Sequence, residues 1–280
     1  MTCRREFLKT IGAASLAGAG LAATGCGVPS TARRLDRIGI QLYTVRSSMQ
    51  DSVERTLERV AQVGYDEVEF AGYFGRSAQQ IRRVLDDTGL SAPATHTPVE
   101  TLENEWEAAV DVAAVAGHQY LVVASIAPAN RTSLDGYRSM ADRFNRVAER
   151  AKAAGLTFGY HNHDFEFEPL EGRMPWDVLL EETDPALVKL ELDLYWITKA
   201  GGDPFKYLTE HPGRFPLVHV KDMATDGSMV DVGAGTIDFA ALFARSGQAG
   251  IKHYFVEHDN PGEPFQSLAA SYRYLRNLEF

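Results

Sequence analysis

The sequence predicts an α/β protein of the (β/α)8 class, the TIM-barrel architecture, in which eight parallel strands close into a ring and each is followed by a helix. Three observations carry this reading. From Arg37 onward, strand-like segments alternate with amphipathic segments of helical period, eight of each. The connections are long enough for helical crossovers between parallel strands, which need a dozen residues or more. The stretch is also about the 250 residues that a closed barrel of this kind uses. An open doubly wound sheet is the competing arrangement, and it is weakened because no G-x-G-x-x-G follows the first strand.

Each element follows from its residues in turn. "RIGIQLYTV" (37–45) reads as the first strand, and "SVERTLERVAQVG" (52–64) is an amphipathic helix closed by Gly64. "YDEVEFAG" (65–72) returns as a strand, "SAQQIRRVLDDTG" (77–89) as a helix, and "LSAPATH" (90–96) as the third strand. The helix "TLENEWEAAVDVAAVAG" (101–117) leads to the strand "QYLVVASI" (119–126), and "SLDGYRSMADRFNRVAERAKAAG" (133–155) leads to "LTFGYHNH" (156–163). After Pro175 come the helix "WDVLLEET" (176–183), the strand "LVKLELDLYW" (187–196) and the helix "PFKYLTEHPG" (204–213). The strand "FPLVHVKD" (215–222), the helix "IDFAALFARSGQAG" (237–250), the strand "IKHYFVEHD" (251–259) and the helix "PFQSLAASYRYLRNL" (264–278) complete the series.

The beginning of the chain stands apart. "MTCRREFLKTIGAASLAGAGLAATGCG" sets Arg4 and Arg5 before Phe7, Leu8 and Lys9 and then runs through small apolar residues. This resembles a twin-arginine export signal, and the run is too short and glycine-rich for a comfortable membrane span. Residues 1–26 are therefore read as a processing segment, 27–36 as a tether and 37–280 as the barrel domain. "AATGC" resembles a lipoprotein cleavage box, with Ala23 where such boxes usually carry leucine. The expected address is the periplasm, and a lipid on Cys26 is the one membrane attachment in view.

Composition narrows the function. The two cysteines are Cys3 and Cys26, which leaves no thiol in the body for catalysis, zinc binding or a bridge. Losing residues 1–26 removes three basic groups and one acidic group, taking the net charge from −10 to −12. A body that acidic repels phosphate backbones, so nucleic acid is not an expected partner.

In a barrel of this class the chemistry sits where strands end and loops begin. Those ends are polar here. "GYHNHDFEFEP" (159–169) follows one helix with two histidines and several carboxylates, strand 2 carries Glu67 and Glu69, and strand 3 ends at His96. Strand 6 runs through Glu191, Asp193 and Tyr195, strand 7 through His219 and Lys221 to Asp222, and strand 8 ends at Glu257, His258 and Asp259. Alternation separates the faces: Leu190, Leu192 and Leu194 point toward the helices, while Glu191, Asp193 and Tyr195 point into the barrel. Val218 and Val220 point outward, which leaves His219 and Lys221 inside. Burying so many ionisable groups without partners costs several kcal/mol each. A shared metal ion with bound solvent is the simplest way to satisfy them.

"YHNHDFEF", "ELDLYW", "HVKD" and "FVEHD", in that order at the ends of strands 5 to 8, resemble the xylose-isomerase-like barrel superfamily. Within it they are most similar to the sugar phosphate isomerases/epimerases, a group that includes ketose 3-epimerases and inosose dehydratases. The likeness spans Arg37 to Phe280. It implies one divalent ion, most often Mn²⁺, held by a glutamate on strand 5, an aspartate on strand 6, a histidine on strand 7 and a glutamate on strand 8. The last three correspond to Asp193, His219 and Glu257. On strand 5 the epimerase glutamate falls nearest Tyr160 or His161, whereas dehydratase-like members supply it later, so Glu166 is the expected ligand. His161 or His163 is the alternative, and either would favour Zn²⁺ or Fe²⁺ over Mn²⁺; Mg²⁺ and Co²⁺ also fit the class.

Such a site suits proton abstraction next to a carbonyl through an enediolate. Glu257 and Glu166 are the expected acid/base pair, with Lys221 stabilising or protonating an oxygen. Glu69, His96, His161 and His163 are expected to contact substrate, and Tyr43 and Trp196 to stack on a sugar ring. The implied substrate is a carbohydrate: a sugar, keto-sugar or polyol. Export argues against a phosphorylated metabolite, and self-association is left open. The expectation is thus a sugar isomerase, epimerase or lyase. Two other classes stand beside it: a non-catalytic periplasmic sugar-binding lipoprotein, and an endonuclease IV-like metal nuclease, which would need a basic groove.

Overall fold

In the computed structural model, residues 32–280 of the 280-residue chain are described, so residues 1–26, expected to be an export signal, and Cys26 lie outside them. Eight strands form a closed ring: β1 (Gly39–Gln41), β2 (Glu67–Phe70), β3 (Ser91–Thr97), β4 (Tyr120–Val123), β5 (Thr157–His161), β6 (Val188–Asp193), β7 (Leu217–Val220) and β8 (His253–Val256). Every neighbouring pair is parallel, and β8 returns to pair with β1 through Gly39 opposite Phe255 and Ile40 opposite Val256. The expected barrel is therefore the observed one.

The helices form where the sequence places caps and apolar stripes. Ser52 caps Val53–Val63, Ser133 caps Leu134–Ala153, and Ser77 opens Ala78–Thr88 with a reciprocal bond to Gln80. At Gly64 the φ of 118° ends the first of these helices, and an added Cβ would also strike the Tyr272 ring. Two expected helices are interrupted: Thr101–Asn104 is separate from Trp106–Ala116, and Phe239–Phe243 from Ser246–Ala249.

Most of the apolar core lies between sheet and helices, with Leu190, Leu192, Val218 and Val220 on the outward face as alternation required. A smaller plug of Ala94, Tyr120, Val122, Leu217 and Phe255 fills the lower interior. Gly39 makes room for it, since a Cβ there would lie 2.5 Å from Phe255 Cδ1. Below the plug, Glu67 is tied to His253 Nδ1 at 2.7 Å and to Arg37 at 3.3 Å. The plug closes the bottom of the barrel, so the remaining inward polar groups collect at the top.

Several local details differ from expectation for identifiable reasons. Residues 33–36, read as part of a tether, are held on the barrel: Arg33 and Phe280 exchange backbone hydrogen bonds of 2.8 and 3.0 Å, and Leu35 is buried. β1 stops at Gln41 because its side chain accepts from the Tyr43 N–H and starts a 3-10 turn, Leu42–Val45. After β7 the chain forms an unanticipated ribbon, Asp222–Met223 against Met229–Val230. Asp222 organises it by accepting from the backbone N–H groups of Met223, Gly233, Gly235 and Ile237. Among the described residues no helix is long and apolar enough to cross a membrane.

Candidate metal centre

Four consecutive strands each deliver one ligand-capable side chain to the mouth of the barrel. β5 ends at His161, β6 ends at Asp193, β7 carries His219, and Glu257 follows β8. All four are buried, and one ligand atom from each lies within 4.8 Å of the others. His161 Nε2 is 3.2 Å and His219 Nδ1 3.7 Å from Asp193 Oδ2, and His219 Nδ1 is 2.7 Å from Glu257 Oε2. Ligands about 2.0–2.2 Å from a common ion lie roughly 3 Å from one another. The closest pair is also the most telling. Among the described residues His219 Nδ1 makes no hydrogen bond, despite its 2.7 Å approach to Glu257. Two atoms that converge without an aligned N–H between them are arranged as ligands of one cation are. The residues present therefore fit a divalent ion, with two nitrogen and two oxygen donors.

Asp193 shows how local folding places a ligand. Its Oδ1 accepts from the backbone N–H groups of Tyr195 and Trp196, both at 2.9 Å, and so caps the helix Leu194–Lys199. This cap ends β6 three residues earlier than expected. Tyr195 consequently lies in the helix, with its hydroxyl donating to the Gly227 carbonyl at 3.0 Å. Oδ2 is left for His161 and for Lys221, whose Nζ is 3.0 Å away.

Behind the quartet is a second polar layer. His219 Nε2 is 2.7 Å from Glu69 Oε2 and 3.2 Å from Glu191 Oε2, and His96 Nε2 is 2.7 Å from Glu191 Oε2. Gln41 Nε2 donates to Glu69 at 2.8 Å. A histidine ligand whose second nitrogen faces carboxylates is held in one ring orientation. Lys221 completes the constellation, 2.7 Å from Glu257 and 3.0 Å from Asp259 as well as from Asp193.

Electrostatics follow from this crowding. Burial opposes charge on Asp193, yet the Lys221 ammonium beside it holds its carboxyl at about 2. Burial likewise opposes charge on Glu257, and Lys221 and His219 keep it well below the usual carboxylate range. Lys221 is pushed upward against burial by Asp193, Glu257 and Asp259, so it remains an ammonium donor. His219 is raised, against burial, by Glu191 and Glu257, while burial and the neighbouring His219 lower His161. Glu69 is raised by burial and by the nearby Glu191 carboxylate.

The quartet opens into a cavity of about 640 Å³ bounded by His96, His161, His163, Lys221, Glu257 and Tyr43, among others. The structure rearranges the expected site in three ways. Glu166 is not brought to the quartet, because the turn Phe165–Phe167 carries it beneath the loop. There its carboxylate accepts from the Tyr160 hydroxyl and, at 2.8 Å, from the His163 N–H. It does not bound the cavity either, and the β5 side chain beside Asp193 is His161. Glu69 is fully buried with its Oε2 held by Gln41 and His219, and it does not bound the cavity. Trp196 does not bound the cavity; its ring packs 5.6 Å from that of His163.

Sequence reasoning left Asp259 and Arg131 out of the site, and both bound the cavity. Asp259 lies two residues beyond Glu257, so alternation offered a signal for it. Arg131 lies in the loop after β4, where no periodicity operates.

Comparison with known proteins agrees with this architecture. An inosose dehydratase of Geobacillus thermodenitrificans is 24% identical over 265 residues, covering 80% of this chain and 88% of the relative. An inosose dehydratase of Clostridium beijerinckii is 22% identical over 232 residues, covering 69% and 77%. The crystal structure of a sugar phosphate isomerase/epimerase from Parabacteroides distasonis superposes with a TM-score of 0.77 at 27% identity, covering 86% of this chain and 98% of that one. The IOLI protein with its zinc atom shares the fold, with a TM-score of 0.68 at 14% identity, covering 85% and 95%. Residues 57–278 match the model of one family over most of the barrel, and the chain belongs to the xylose isomerase-like TIM barrel family.

Proposed function

We propose that this chain is a divalent-metal-dependent enzyme acting on a sugar, keto-sugar or polyol, moving a proton at the carbon next to a carbonyl in an isomerase, epimerase or lyase reaction. The observation that carries the reading is the buried His161, Asp193, His219 and Glu257 quartet opening directly into a cavity of carbohydrate size. Similarity to inosose dehydratases and to a sugar phosphate isomerase/epimerase supports the same class.

The four quartet residues would hold the ion, which when bound would polarise a substrate carbonyl and lower the cost of ionising the adjacent C–H. A donor set of two imidazoles and two carboxylates moves the preference from Mn²⁺ toward Zn²⁺ or Fe²⁺. The chain's own residues do the rest. Glu257 bounds the cavity, and its Oε2 is the atom that approaches both His219 Nδ1 and the Lys221 ammonium. It is placed to accept the proton from carbon. While Lys221 donates to Glu257 its basicity is suppressed; when Lys221 turns its N–H to a substrate oxygen, that basicity returns as negative charge on the oxygen is stabilised. His96 and His163 bound the cavity and orient hydroxyl groups, and Tyr43 offers an aromatic face at the rim.

We also propose that the mature protein is exported and begins at or after Cys26. Metal analysis of purified protein, followed by a screen of sugars in deuterated water, tests the enzymatic reading. Solvent deuterium incorporated at carbon, and lost on Glu257→Gln, is the expected result. Sugar binding without exchange or any other turnover would instead make this a binding protein.

A further inference from the structure

We propose that the substrate carries a carboxylate and that Arg131 is the residue that receives it. This rests on the reading of the cavity as a carbohydrate site and narrows the substrate to sugar acids. The charged side chains that bound the cavity are Glu100, Arg131, Lys221, Glu257 and Asp259. Lys221 is engaged at 2.7–3.0 Å by Glu257, Asp259 and Asp193, so those charges answer one another. Glu100 is exposed on the rim, whereas Arg131 is half-buried. Among the described residues Arg131 forms no ion pair; its guanidinium instead lies 3.7 Å from the centroid of the Phe165 ring. Phe165 is in turn stacked with His163, their planes 9° apart. Arg131 is thus a positioned cation outside any ion pair among the described residues; its charge reaches the Glu166 carboxyl, which burial holds up at about 8 and so keeps largely protonated at neutral pH.

Topology sets it at a useful place. In the ring of strands β4 lies diametrically opposite β8, so Arg131, on the loop after β4, faces the cavity across from Glu257. A substrate whose reacting carbon meets Glu257 extends its far end toward Arg131. The walls there are largely apolar, with Pro98, Val99, Ala127 and Pro128 beside the hydroxyl groups of Thr97 and Ser125, which donate to Thr101 Oγ1 and to the Ile126 carbonyl, and the prolines offer no N–H. The N–H of Ile126 is already given to the Tyr160 hydroxyl at 3.3 Å. A lone guanidinium fork between apolar walls matches a planar carboxylate, which accepts two parallel hydrogen bonds. A phosphate, with three oxygens to satisfy, calls for further donors beside the guanidinium, and the Thr97 and Ser125 hydroxyls there already donate elsewhere.

The test is calorimetry on the metal-loaded protein with matched probes: glucose against glucuronate, galactose against galacturonate, and glucose 6-phosphate. The acids should bind about ten- to a hundredfold more tightly than their neutral partners, the range of a charge-assisted hydrogen-bonded pair. Arg131→Gln should abolish that gap while metal content and neutral-sugar affinity stay as they were, and Arg131→Lys should keep part of it. Equal affinity for acid and neutral sugar, equal weakening of both by Arg131→Gln, or tighter binding of the phosphate overturns the inference. An acid preference that appears only in Glu100→Gln would identify Glu100 as the partner of Arg131 and overturn it too. Neutral sugars that bind in a metal-dependent way without an acid preference overturn this inference and leave the proposed function standing.

Discussion

Replacing Glu166 with glutamine separates it from His161 as the β5 ligand and at the same time measures a buried carboxyl. Burial lifts Glu166 from 4.5 to about 8, even though the Tyr160 hydroxyl and the His163 N–H bond to it. In the unfolded chain the group titrates near its ordinary value. Between those two values the folded protein keeps a proton that the unfolded chain has released, so stability falls as pH rises, by about 1.4 kcal/mol per unit. Below the lower value the group contributes no pH dependence, and above the upper one the loss is complete. Glutamine has nearly the same shape and does not ionise. The stability of Glu166→Gln relative to the parent should therefore rise by about 3 kcal/mol between pH 5 and pH 7. Urea unfolding of the metal-free proteins at pH 5, 6 and 7 reads this directly, because pH effects of other groups cancel in the difference. Metal content gives the second reading: Glu166→Gln should retain the ion, while His161→Ala should lose most of it. A flat stability difference refutes the buried-carboxyl argument, and metal loss in Glu166→Gln matching that in His161→Ala restores Glu166 as the ligand.

Three further outcomes follow from the geometry. Glu257→Gln should lower turnover by about 10² to 10⁴ while retaining some metal; deuterium exchange at the parent rate would remove Glu257 as the base. Asp193→Ala should act in two places, reducing metal occupancy and losing the cap of Leu194–Lys199, worth about 1 kcal/mol; saturating metal should restore occupancy, and a variant that binds metal as tightly as the parent would place Asp193 outside the ligand set. Gly39→Ala should cost about 1–3 kcal/mol in thermal or urea unfolding, because its Cβ meets Phe255 Cδ1 at 2.5 Å inside the barrel; a neutral effect would mean that the interior plug yields easily.

What the sequence by itself determined is what local geometry controls. Eight alternations of strand and helix implied a closed barrel, and the period of two assigned inward and outward faces on β6 and β7. Gly64 marked the end of its helix because a cap acts within a few residues, whereas the capping by Ser52, Ser77 and Ser133 was seen only in the structure. The tertiary structure decided what depends on contacts between distant segments. Glu166 and His161 lie only five residues apart, and the sequence favoured the glutamate. The folded loop buries Glu166 against Tyr160 and leaves His161 beside Asp193, from another strand. Asp193 ends β6 by capping the next helix, which took Tyr195 out of the barrel wall. Glu69 serves His219, 150 residues away, and Arg131 joins the cavity from a loop without any repeating pattern. Periodicity says which way a side chain points along its own strand; only the closed ring settles which groups from eight strands meet, because that depends on the register and curvature of the whole sheet.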